Sequence, residues 1–110
     1  MLMATIPSTA RERKRYILIR VNSEPRAEKT LVGRLVIQAG MQFLGELGMA
    51  RAGIQFLEDT WNEKTNTGIV RVSHKYVDDI KAAFALVKEF EGKKMQIHSI
   101  KVSGEINKLK

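Results

Sequence analysis

Glu58, Asp59 and Glu63 lie close together in the sequence, and Asp78 and Asp79 are adjacent. General acid–base chemistry would need two such carboxyl groups converging on one point with their pKa values driven apart. Successive helix residues are splayed by about 100°, so Asp78 and Asp79 cannot converge if they open a helix. Acids in a first helical turn are in any case favoured by the helix dipole. Of the other three, Glu63 lies within and Glu58 and Asp59 lie shortly before the polar stretch Asn62-Glu63-Lys64-Thr65-Asn66-Thr67, which reads as a hairpin loop. His74 and His98 are the only histidines and there is no cysteine. A metal centre draws on more ligands at regular spacing, so both histidines are expected in ordinary polar packing. The lack of cysteine excludes a disulfide scaffold, a zinc knuckle and a thiolate nucleophile, and it fits a reducing compartment. No nucleophile elbow, phosphate-binding glycine loop or dinucleotide fingerprint occurs. No catalytic residue and no metal ligand are therefore assigned.

The residues that could act chemically are the bases. The chain has 110 residues, a formal net charge of +7 and a sequence pI near 9.9. Residues 11–20 hold Arg11, Arg13, Lys14, Arg15 and Arg20 against Glu12 alone. Residues 92–110 hold Lys93, Lys94, Lys101, Lys108 and Lys110 against Glu105 alone. Between these two clusters acids and bases nearly balance. Such clusters suit a polyanion, because each phosphate they neutralise releases condensed counterions. A membrane surface would call for a basic amphipathic helix with exposed Leu or Trp, and none is evident. The N-terminal ten residues offer no secretory apolar run, and no apolar stretch is long enough to span a bilayer.

These side chains need a scaffold. The hydrophobic share of 44% and charged share of 28% are those of an ordinary globular domain. Residues 1–12 are expected to form a flexible basic leader and residues 13–110 a single domain. Tyr16–Val21, apolar apart from Arg20 and rich in β-branched residues, reads as a first strand, followed by a turn at Asn22-Ser23-Glu24-Pro25. Leu31, Leu35, Ala39 and Phe43 recur every fourth residue, predicting a helix over Lys29–Leu47 ended by Gly48. Ile54–Trp61 and Ile69–Ser73 read as a hairpin, with Trp61 capping the edge of the core. Val77, Ile80, Phe84 and Val87 predict a second helix over Lys75–Glu91, capped by Ser73 and stopped by Gly92. Met95–Val102 is the last strand.

The order is β-α-β-β-α-β, an α+β ferredoxin-like or RRM-like sandwich: a four-stranded antiparallel sheet with two helices on one face and strands one and three central. Period-2 alternation sends Ile17, Ile19, Val21, Val70 and Val72 to the helices. Tyr16, Leu18, Arg20, Ile69 and Arg71 then fall on the open face, which is both apolar and basic. An RNA-recognition motif would need aromatics on its third strand. Thr67-Gly68-Ile69-Val70-Arg71-Val72-Ser73-His74 has none, so contacts to RNA backbone and shape remain the better expectation.

Four stretches stand out together: Lys14-Arg15-Tyr16-Ile17, Leu44-Gly45-Glu46-Leu47-Gly48, Thr65-Asn66-Thr67-Gly68-Ile69-Val70-Arg71 and Val102-Ser103-Gly104-Glu105-Ile106. In this order and at these intervals the chain, from about Arg13 to Leu109, resembles protein component 2 of archaeal ribonuclease P, the homologue of a eukaryotic ribonuclease P/MRP subunit. The resemblance implies the sandwich fold and a cytoplasmic subunit that supports the catalytic RNA in 5′ maturation of precursor tRNA. In that particle the RNA, with Mg2+, performs the hydrolysis, and this chain binds no cofactor. The implied partners are the ribonuclease P RNA, precursor tRNA in the complex and protein component 3, with a homodimer inside a heterotetramer left open. The alternatives are a generic ribosomal-type RNA-binding protein and a metabolite-sensing regulatory domain of the same fold, though the latter has no need of a basic cluster at each end. The candidate RNA-binding residues are Arg11, Arg13, Lys14, Arg15, Arg20, Arg71, Lys93, Lys94 and Lys101. The last strand should lie beside the first, so the two clusters are expected to meet in one patch. Lys64, Lys81 and Lys88 are expected elsewhere.

Overall fold

The computed structural model describes residues 13–24 and 26–110. Their order is β1 (Lys14–Ser23), α1 (Lys29–Ala52), β2 (Gln55–Asn62), β3 (Thr67–Ser73), α2 (Val77–Ala85), β4 (Glu89–Phe90) and β5 (Lys93–Ser103), with short 3-10 turns at His74–Tyr76 and Ile106–Lys108. All strand pairs are antiparallel, and the sheet runs β2-β3-β1-β5-β4. The fold is α+β with two helices and five strands, so the expected strand count of four is corrected. The proposed leader and Arg11 lie outside the described residues.

The core forms where the two helices cover one face of the sheet. Ile17, Ile19 and Val21 of β1, Val70 and Val72 of β3, and Met95 and Ile97 of β5 meet Val32, Leu35, Val36 and Ala39 of α1 and Ile80 and Phe84 of α2. Burying an aliphatic side chain of this size stabilises the fold by about 1.5 to 3 kcal/mol. The alternation expected for β1 and β3 is thus present. Trp61 packs against the same core, edge-on to Phe56 with ring centroids 6.2 Å apart.

Phe43, expected in the core, is 46% exposed. Steps of four residues turn 40° beyond a full circle, so Phe43 has rotated by about 120° from Leu31. The chain also leaves helical geometry at Gly45, whose φ of 73° and ψ of 179° break α1. The helix then resumes and ends four residues after Met49, at Gly53 rather than Gly48. Gly53 takes the left-handed conformation, and its N–H donates to the Met49 carbonyl at 3.1 Å.

The second helix also ends earlier than predicted. α2 stops at Ala85, and Val87 is half-buried against the core. Glu89 and Phe90 leave the helix to pair with Lys94 and Lys93. Glu91 and Gly92 both have positive φ and form the two-residue turn of this hairpin, so Gly92 marks a turn and not a helix end. A bidentate Arg34 contact to the Glu91 carboxylate, at 3.4 Å, holds the turn against α1. At the start of α2 the expected Ser73 cap is not made. A 3-10 turn intervenes, and the Ser73 hydroxyl is buried without a hydrogen-bond partner.

Two glycines separate helix propensity from packing. A Cβ on Gly33 would sit 3.6 Å from the Phe56 ring, an ordinary contact, whereas on Gly68 it would fall 2.9 Å from Phe56 and 3.0 Å from Trp61. Thermal unfolding should therefore show Gly33→Ala stabilising by up to about 1 kcal/mol. Gly68→Ala should destabilise by about 1 to 3 kcal/mol through overpacking. Shifts of the same sign in both variants would contradict this packing.

Candidate nucleic-acid interface

The face of the sheet away from the helices can be built from the strand register. Tyr16 stands between Arg71 of β3 and Ser103 of β5, Leu18 between Ile69 and Lys101, and Arg20 between Thr67 and His98. On the far side of β3, Gln55 stands opposite Arg71 and Leu57 opposite Ile69. Leu18, Ile69 and Leu57 thus form an apolar row, with Arg20, Arg71, Lys101 and His98 around it. Ile69, expected to face outward, does lie on this face but is only 2% exposed, because it has apolar neighbours on both adjoining strands. The hydroxyl of Thr60 mends the irregular β2–β3 pairing beside it, accepting the Ile69 N–H at 2.9 Å and donating to the Leu57 carbonyl at 2.6 Å.

Lys101 reaches this face through a bulge. Ser99 pairs with Ile19 and Lys101 with Leu18, leaving Ile100 as an extra residue on β5. Without it, strict alternation from Met95 and Ile97 would turn Lys101 toward the helices.

The candidate bases differ in how free they are. Arg13, Arg20, Lys93, Lys94 and Lys101 are exposed. The Arg13 carbonyl accepts the His74 N–H at 2.8 Å, which anchors the end of the N-terminal cluster to the β3–α2 junction. Lys14 is exposed, yet its ammonium lies beside Gly53 at the C-terminal, negative end of α1. Arg15 is half-buried, points to the helix side with Val72, and donates to the Lys14 carbonyl at 3.1 Å. Arg71 is half-buried too: its Nη2 donates to Gln55 Oε1, and its Nε is buried without a partner. Arg15 and Arg71 are therefore partly committed within the fold.

The structure does not gather these residues into one patch. β5 runs antiparallel to β1, so Ser103 lies opposite Tyr16 while Met95 lies opposite Ser23. Lys93 and Lys94, at the start of β5, sit at the far end of the sheet from Arg13 and Lys14, about 30 Å away at 3.3 Å per residue. The expectation of a single patch is corrected to two basic groups joined by the open face, with Arg20 and Lys101 between them. Lys81 and Lys88, expected apart from the site, instead line one concavity with Lys94 and His98. These two lysines lie seven residues apart in a segment that is helical only as far as Ala85, and nothing in their spacing brings Lys94 to them. Only the tertiary structure does.

Among the described residues, no group of three or more His, Asp or Glu side chains could hold a metal ion. Tyr16 is the only aromatic on the open-face rows of β1 and β3, and it is half-buried, which gives base stacking little to work with.

The model of the Rpp14/Pop5 family matches residues 15–110, from β1 through the C-terminal turn. The chain belongs to this family. Ribonuclease P protein component 2 of Pyrococcus abyssi is 38% identical over 110 residues, covering 100% of this chain and 92% of that protein. The same component of Thermococcus kodakarensis is 37% identical over 105 residues, covering 96% and 86%. That of Methanocaldococcus jannaschii is 30% identical over 109 residues, covering 99% and 78%. A chain in the cryo-EM structure of yeast ribonuclease MRP superposes with a TM-score of 0.60 at 12% identity, over 86% of this chain and 76% of that one. At that identity the likeness is one of fold. The family match includes every candidate base except Arg11, Arg13 and Lys14.

The absence of native cysteine makes the separation of the two basic groups directly measurable. Spin labels on a Lys14→Cys/Lys94→Cys variant should report a distance centred at about 30 Å, the length of the β1 ladder. A distribution centred below about 15 Å, half that span, would restore the single patch.

Proposed function

We infer that the chain is a protein subunit of ribonuclease P that binds and supports the catalytic RNA in 5′ maturation of precursor tRNA. The observation that carries this is the 38% identity with an archaeal component 2 along the entire chain, at nearly equal length. The charge pattern supports it independently. Among the described residues only Arg34–Glu91 and Lys108–Glu105 form ion pairs, so the exposed bases of the interface have no internal counter-charge.

In this reading the sandwich is ferredoxin-like, with β4 as an added edge strand. The RNA performs the hydrolysis with Mg2+, and this chain binds no cofactor and holds no catalytic group. A folded ribozyme packs phosphates closely. Arg13, Arg20 and Lys101 lessen the resulting repulsion at fixed positions, where diffuse cations would otherwise have to gather. Phosphate contacts set position and register without reading bases, which suits a sheet face without a stacking platform. Component 3 is the protein partner, in a heterotetramer with two copies of each, and the particle works in the cytoplasm. The apolar Leu18–Ile69–Leu57 row is mostly filled within the sheet. The exposed Ile37, Met41 and Leu47 of α1 are the better candidates for a protein contact.

The reading is tested by the salt dependence of binding to a ribonuclease P RNA transcript. Each phosphate contact contributes about 0.7 to 0.9 to the slope of log affinity against log salt. An Arg13→Ala/Arg20→Ala/Lys101→Ala variant should therefore lose about 2 to 3 units of slope. An unchanged slope would remove these residues from the interface. A second expectation concerns catalysis: RNA-free protein should leave precursor tRNA intact with any divalent ion, and single-site cleavage by it would contradict the reading.

A further inference from the structure

Between α2 and the first half of β5 lies a groove of about 1000 Å3 whose lining draws basic side chains from three separate segments. Lys81 comes from α2, Lys88 from the link after it, and Lys94 and His98 from β5. We propose that this groove is a second RNA-backbone site, distinct from the N-terminal cluster and about one sheet length from it.

Three observations favour RNA backbone as the occupant. The first is charge: Glu24 is the only acid in the lining, and neither ion pair among the described residues involves any of the three lysines. All three are exposed. Three ammonium groups around one concavity repel one another, and phosphate oxygens are the counter-charge that relieves this. The second is the lining chemistry. It contains no Phe, Tyr or Trp, so bases have no ring to stack on, and backbone contact is what the site can offer. Asn22 and Gln96 are directly opposed in the β1–β5 ladder within this lining. Their amides can donate to phosphate and accept from a ribose 2′-hydroxyl, a pairing of functions suited to RNA. The third is continuity: His98 stands beside Arg20 in the ladder, so the groove opens onto the sheet face already described. A strand of RNA leaving the groove would pass Arg20 before reaching Lys101.

This inference rests on the RNA-binding reading above, and its test separates the two. Binding of a ribonuclease P RNA transcript is measured across a salt series for three proteins. These are the unsubstituted chain, a Lys81→Ala/Lys88→Ala/Lys94→Ala variant, and a Lys29→Ala/Arg51→Ala control whose residues are exposed on α1 outside the groove. The groove variant should keep its melting temperature and lose about 2 to 3 units of salt slope, while the control keeps the slope of the unsubstituted chain. Combining the groove substitutions with those at Arg13, Arg20 and Lys101 should add the two losses, since most of these residues share no contacts. If the unsubstituted chain binds the transcript and the groove variant has the same slope, the groove is ordinary surface charge and only this proposal falls. If the unsubstituted chain does not bind the transcript at all, the RNA-binding reading fails and the groove proposal with it.

Discussion

The ladder between β1 and β5 is the constraint on which both the core and the charged surface depend. It joins the two basic segments of the sequence edge to edge, and its antiparallel sense fixes which members of each lie together. Ile17 opposite Val102 and Val21 opposite Ile97 direct apolar side chains to the helices, while Leu18 opposite Lys101 and Arg20 opposite His98 direct the alternate set outward. One inserted residue, Ile100, lets a single strand serve both purposes. Before the bulge Met95 and Ile97 fill the core; after it, the shift of phase brings Lys101 to the open face and Val102 to the core side.

The same ladder spreads positive charge along the sheet. Surface ion pairs contribute little to stability, so the scarcity of them here costs the fold little. Unpaired bases on a rigid sheet do something different: they present charge at fixed spacing. A partner whose phosphates match that spacing gains counterion release without further ordering of the protein backbone. The partial commitment of Arg71 fits this picture, because its hydrogen bond to Gln55 ties β2 to β3, while Arg15 bonds only to the carbonyl of its neighbour Lys14 and Arg13, Arg20 and Lys101 stay freer.

Much of the helix-side core was legible in the sequence, since Ile17, Ile19, Val70 and Val72 alternate cleanly and Leu35, Ile80 and Phe84 keep helical spacing. Phe43 misled because a four-residue repeat drifts around a helix and because Gly45 interrupts that helix, an event with no periodic signal. β4 was invisible for a different reason: two residues are too few to alternate, and Gly92 serves equally well as a helix stop or a hairpin turn. For the site, the candidate bases on β1 and β5 could be named from charge clustering alone. Their separation was implicit in the antiparallel order of the expected sheet, but charge counted along a chain does not show which end of a strand it occupies. Lys81 and Lys88 were least legible, since their nearness to Lys94 depends on where α2 stops and on the hairpin that follows it.

The central claim is that fixed protein charge substitutes for diffuse cations around a folded RNA. Its most direct test is a Mg2+ titration of precursor-tRNA cleavage by the ribonuclease P RNA, with and without this chain and its protein partner. The account predicts that the chain shifts half-maximal cleavage to lower Mg2+ concentration while leaving the cleavage position unchanged. A titration curve that does not move when the chain is added, with the chain shown to be bound, would contradict it.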